Sequence, residues 1–155
     1  MPITLLTRGA ARGLVPADVR KALRRQVDRA MKAAATTEAE LCLSLTDDEE
    51  ILELNRSYAG EDHATDVLSF SQREGMLSPD ESVLGDVVIS VETAQRQAER
   101  AGHGLLDELL HLSVHGLAHL LGYDHATPDE EARMFGYEAL LRVQARASGR
   151  IAQVA

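Results

Sequence analysis

A chain of 155 residues, 45% of them apolar, can build one compact core and is short for two. With no Trp, two Phe and three Tyr it lacks the aromatic platforms of base-stacking sheets, and its one cysteine excludes an internal disulfide and a cysteine-rich zinc site. The net charge of −9 disfavours indiscriminate polyanion binding, but residues 1–37 carry eight Lys/Arg against two Asp/Glu, so the mean conceals a basic end.

In chain order, residues 3–6 read as a first strand. A helix is expected over residues 16–34, with Pro16 in its opening turn and Val19, Leu23, Val27, Ala30 and Met31 at helical spacing. Residues 41–45 alternate as a second strand, with Cys42 as an ordinary sheet residue. Thr46-Asp47-Asp48-Glu49 reads as a capping box opening a helix that runs to Tyr58. After a polar loop over residues 60–64, Asp66-Val67-Leu68-Ser69-Phe70 reads as a third strand. Residues 71–82 read as a surface loop, and residues 83–91 as a fourth strand. Three helices finish the chain: residues 91–101 stopped by Gly102, residues 105–121 stopped by Gly122, and a helix opened by Thr127-Pro128-Asp129-Glu130 that ends near Gly149. Residues 147–155 are expected to fray.

The expected class is α+β. One domain spans residues 1–155, with a mixed sheet of about four strands packed against about five helices and a metal site on a buried C-terminal helix. No basic start leads into an apolar run of leader length, and no stretch of 18 apolar residues occurs. The expectation is a cytoplasmic protein with no membrane partner.

The chemistry concentrates in His115-Gly116-Leu117-Ala118-His119-Leu120-Leu121-Gly122-Tyr123-Asp124-His125. The surrounding helix is apolar almost all round, so its histidines lie inside the molecule or along a cleft. Residues four apart on a helix stand about 5–6 Å apart on one face, so His115 and His119 can share an ion. Gly122 can adopt the left-handed conformation that ends a helix and return the chain so that His125 joins them. Three imidazoles leave a fourth position for water, the pattern of a catalytic zinc site. Metzincin proteases share this spacing but carry Glu, their general base, directly after the first His; here that position is Gly116.

With these residues in view, the chain resembles the YbeY family of bacterial endoribonucleases. The resemblance is carried by Leu54-Asn55 with Tyr58, Thr65-Asp66-Val67-Leu68-Ser69-Phe70, Leu84-Gly85-Asp86-Val87-Val88-Ile89 and the 115–125 motif. It implies a zinc-dependent, single-strand-specific endoribonuclease that binds ribosomal RNA and the ribosome or its small subunit, not DNA. It also implies roles in maturing the 3′ end of 16S rRNA and in ribosome quality control. The alternatives are a non-catalytic ribosome-assembly factor with a structural metal, or a metal hydrolase of another substrate class. The family usually has Arg after the Tyr and Pro before the Thr-Asp, where this chain has Ala59 and Ala64. A guanidinium there would bind the scissile phosphate; Arg56 and Arg73 are the nearest substitutes in sequence.

Around the metal ligands His115, His119 and His125, Asp124 reads as a base or a hydrogen-bond acceptor for a ligand imidazole, or else as a turn residue. His111, one turn before His115, reads as lining the cleft or as a satisfied core histidine. Ser69 is a candidate substrate contact. The resemblance places Asp66 beside the cleft, and Asp86 is a candidate behind a ligand, but capping or ladder satisfaction is the default reading for all three. Arg20, Arg24 and Arg25, with Lys21, Arg29 and Lys32, form the only basic block, read as contacts to RNA phosphates or as a solvated helix face.

Overall fold

The computed structural model describes residues 3–36, 39–61, 63–71 and 83–154. Four strands, β1 (Ile3–Thr7), β2 (Glu40–Thr46), β3 (Val67–Ser71) and β4 (Val83–Ser90), form one sheet in the order β1-β2-β4-β3. β1, β2 and β4 run parallel, and β3 closes the far edge antiparallel to β4. Among the described residues six helices accompany it: α1 (Ala11–Leu14), α2 (Ala17–Ala33), α3 (Asp48–Ala59), α4 (Val91–Ala101), α5 (Leu105–Leu120) and α6 (Pro128–Arg146). The mixed four-stranded sheet and the α+β class are as expected. The surface-loop expectation for residues 71–82 falls largely on residues outside those described.

Register explains the burial pattern. Leu43 pairs with Val87 and Leu45 with Ile89, so these alternate residues share the face that packs beneath α5; all four are 0% exposed. The next residues along, Ser44 opposite Val88 and Cys42 opposite Asp86, face the other way, toward Leu54 and Tyr58 of α3. α5 adds Leu109, Leu110, Leu112, Val114, Leu117 and Leu120 to the core. Each such side chain contributes about 1.5–3 kcal/mol on burial, which is why the helix is apolar on nearly every side.

The sequence reading differs from the structure in three places. The extra helix, α1, is a single turn, too short to show a periodicity. It is secured by a tertiary contact, Ala10 N–H donating to Asp47 at 3.0 Å. That same carboxylate accepts from Glu50 N at 2.9 Å, so Asp47 caps α3, and Thr46 is the fully buried last residue of β2. The cap is one residue later than expected because Thr46 stays in the ladder, paired with Ser90. Third, where fraying was expected, residues 147–154 are tied down. Arg29 donates to the carbonyls of Gln144 and Gly149, Ala152 N–H to Gln144 Oε1, and Val154 N–H to Ala33 at 2.7 Å, with Ile151 and Val154 packed on the core.

Candidate metal centre

α5 lies along the β3–β4 side of the sheet, and its last two turns present His115 and His119 to a cleft of about 380 Å³. Residues 65–69 at the exposed edge of β3 form the opposite wall, and His125 completes the lining. Gly116 is what lets the helix lie so low. A Cβ at this position would stand 2.7 Å from Val87 Cγ1 and 2.9 Å from Cγ2. The residue read as a missing proteolytic base is therefore also a packing necessity, and a glutamate there would have no room.

α5 ends as the glycine predicts. Gly122 has φ +98°, Gly122 N–H donates to His119 O at 3.0 Å and Tyr123 N–H to Ala118 O at 3.1 Å. This paired closure reverses the chain and satisfies two of the helix's orphan carbonyls. His125 returns over the end of the helix. Its ring centroid lies 5.9 Å from that of His115 and 5.2 Å from that of His119, and the latter two are 4.7 Å apart. One nitrogen from each ring lies within 4.8 Å of the others, close to the span that two metal–nitrogen bonds of about 2.0–2.1 Å bridge. Among the described residues no other group of three is so placed. Burial, followed by the neighbouring His115 and His125, lowers the His119 pKa below the usual histidine value, which favours the neutral, ligating form. An all-imidazole set open to a polar cleft fits a zinc-class ion with a vacant position.

The structure also shows what holds the donors. Glu138 of α6, 1% exposed, places Oε1 2.8 Å from His115 Nδ1. Tyr137 stacks on Tyr123 with centroids 4.3 Å apart and planes within 10°. Neither contact was expected from the sequence. A signal existed: Glu138 falls between Met134, Tyr137 and Leu141 on the apolar stripe of its helix, and a carboxylate there needs a partner.

The remaining candidates separate. Ser69 and Asp66 line the cleft; Asp66 also accepts from Val67 N–H at 2.8 Å and from Gln97 Nε2 at 3.2 Å. Asp124 is exposed, and its carboxylate accepts from His125 N–H at 2.7 Å, a turn-stabilising contact beside a ligand. His111 is not part of the cleft lining. It sits with one edge in solvent on α5, its pKa lowered by the protein packed around it and then by the Arg142 charge. Asp86 stands on the opposite face of the sheet, with Cys42 and Ser44, because it alternates with Val87, and so faces away from the histidine cluster. Arg56 is exposed on α3 within 3.4 Å of Glu53 and does not line the cleft, and Arg73 lies outside the described residues.

The basic block divides as well. Arg24 donates to Ile3 O at 2.9 Å, Arg29 holds the C-terminal segment, and Lys32 pairs with Asp28 at 3.0 Å. Arg20, Lys21 and Arg24 line a groove of about 250 Å³ against the free edge of β1, with no carboxylate among the described residues of its lining, while Arg25 is exposed and outside it. No helix among the described residues is long and apolar enough to cross a membrane.

The model of the family described as endoribonuclease YbeY matches residues 11–144. The chain is 48% identical over 133 residues to the endoribonuclease YbeY of Moorella thermoacetica, covering 74% of this chain and 82% of that one. It is 42% identical over 133 residues to that of Desulfitobacterium hafniense, covering 82% and 80%. The chloroplastic endoribonuclease YBEY of Arabidopsis thaliana is 53% identical over 103 residues, which are 66% of this chain but 18% of that longer protein. The solution structure of TM1509 from Thermotoga maritima superposes with a TM-score of 0.63 at 23% identity, over 92% of this chain and 88% of that one, a likeness of fold. From residues 11–144 and these identities, the chain belongs to the endoribonuclease YbeY family.

Proposed function

We propose that this chain is a metal-dependent endoribonuclease that holds one zinc ion through His115, His119 and His125 and cuts single-stranded ribosomal RNA. Its place is in maturation of the small-subunit 16S 3′ end and in ribosome quality control, in the cytoplasm. The observation that carries the reading is the convergence of three imidazoles at the mouth of an open, polar cleft. A bound divalent ion supplies Lewis-acid activation of a phosphodiester and of water.

The chain's own groups do the rest. Neutral His119 offers its lone pair, and the glycine turn delivers His125 to the same point. Ser69 brings a hydroxyl to the cleft wall that can donate to a phosphate oxygen, while the neighbouring Thr65 hydroxyl donates to Asp66 at 3.4 Å. Asp124 is the exposed carboxylate next to the ligands and the candidate proton acceptor. Arg20 and Lys21 extend the surface for phosphates at the far edge of the sheet. Gly116 speaks against a peptidase, since the position of its base is filled by Val87 contact.

The test is cleavage of a single-stranded rRNA fragment by pure protein, with and without chelator, beside His119→Ala, with zinc content measured on protein purified without a histidine tag. Cleavage should disappear with chelator and in the variant, and about one zinc per chain should be found. Cleavage that persists in His119→Ala refutes the assignment. Zinc without cleavage leaves the assembly-factor reading, favoured by the absence of any Lys or Arg from the cleft lining among the described residues.

A further inference from the structure

We propose that Glu138 is a positioning residue for the metal centre: its buried carboxylate fixes the proton of His115 on Nδ1 and so presents Nε2 to the ion. The inference rests on the metal reading above and deepens it. Glu138 is 1% exposed, and among the described residues its only hydrogen-bonding partner is His115 Nδ1, at 2.8 Å. A carboxylate accepts, so the imidazole donates, and one ring nitrogen is left with its lone pair in the cleft. A histidine that could rotate or exchange tautomers would offer the ion a donor only part of the time.

The helix that carries Glu138 cannot easily shift. Met134 and Leu141, one turn either side, are both 0% exposed, and the adjacent Tyr137 is stacked on Tyr123 in the turn that leads to His125. α6 thus braces two of the three ligands from neighbouring positions, one by hydrogen bond and one by packing. Stability alone does not account for the acid. Desolvating a buried carboxylate offsets much of what a single hydrogen bond returns.

The experiment compares the wild-type chain with Glu138→Leu, Glu138→Gln and the control Glu108→Gln, a buried acid paired with His103. Zinc and cobalt affinities are measured by chelator competition, and the His115 tautomer by long-range proton–nitrogen correlation on the apo protein at pH 8. We expect Glu138→Leu to weaken metal binding about 10–100-fold. Glu138→Gln, which keeps an acceptor oxygen, should recover much of that loss, and Glu108→Gln should bind as wild type. His115 should carry its proton on Nδ1 in wild type and Glu138→Gln. Affinity in Glu138→Leu equal to wild type overturns the proposal. Should Glu138→Leu not fold, an Nε2-protonated His115 in the wild type overturns it equally. A wild type that takes up neither zinc nor cobalt sinks the metal reading itself, a result distinct from equal affinities in wild type and variant.

Discussion

Two helical glycines offer an internal comparison that tests how α5 is seated. Gly116→Ala and Gly136→Ala make the same chemical change in α5 and α6. In an exposed helix interior, Ala is favoured over Gly by about 0.8–1.0 kcal/mol. A Cβ on Gly136 meets nothing within 4 Å, so that variant should gain most of this. A Cβ on Gly116 meets both methyls of Val87, at 2.7 and 2.9 Å, and Val87 is 0% exposed with nowhere to yield. Overpacking of this kind costs about 1–3 kcal/mol, so Gly116→Ala should fall below Gly136→Ala by that amount and end at or below wild-type stability. Urea unfolding with m-values held equal reads the difference. Adding Val87→Ala should recover at least about 1 kcal/mol of coupling, since the two residues are in direct contact. Because α5 carries His115 and His119, lifting it off β4 should also weaken metal uptake in Gly116→Ala and leave it unchanged in Gly136→Ala. Equal stabilisation of both variants would refute the seating of α5 on β4, and with it the reason Gly116 is glycine.

The remaining predictions concern charge. Burial acts to raise the Asp48 carboxyl pKa, but hydrogen bonds from Ser90, Thr93 and Arg96 outweigh it and hold the group below the ordinary carboxylate range. A depressed folded-state pKa stabilises above the unfolded value, about 3.9, and that contribution is lost as pH falls through the folded value. The stability gap between wild type and Asp48→Asn should therefore be widest near neutrality and close below about pH 4; a gap unchanged from pH 7 to pH 3 would contradict the bond network. Reversing Arg20 and Lys21 to Glu should weaken RNA binding and flatten its log–log salt dependence by at least about 1.4, the release expected for two single-strand phosphate contacts. An unaltered salt slope would remove the β1-edge groove from the RNA path.

Most of the fold was legible because its signals are local. Alternation marked the strands, helical spacing the long helices, and Gly102, Gly122 and Thr127 their ends, although α6 stops at Arg146, three residues before the expected Gly149. α1 escaped because one turn has no period and depends on Asp47, 37 residues away. The face on which Asp86 stands was left open by the sequence for a related reason. Alternation tells which residues share a face, but only the packing of Val87 under α5 tells which face lies on the side of the histidine cluster.

The convergence of the three histidines is a property of the sequence alone. Helical pitch brings His115 beside His119 and a glycine turn brings His125 back, and both are set within eleven consecutive residues. What the tertiary structure alone decided is everything that joins distant segments. It placed Glu138 behind His115, Tyr137 on Tyr123, Val87 under Gly116, and the edge of β3 across from the ligands. Local geometry follows from bond rotations and short-range hydrogen bonds, whereas these contacts depend on how sheet and helices pack, which no short window of residues encodes.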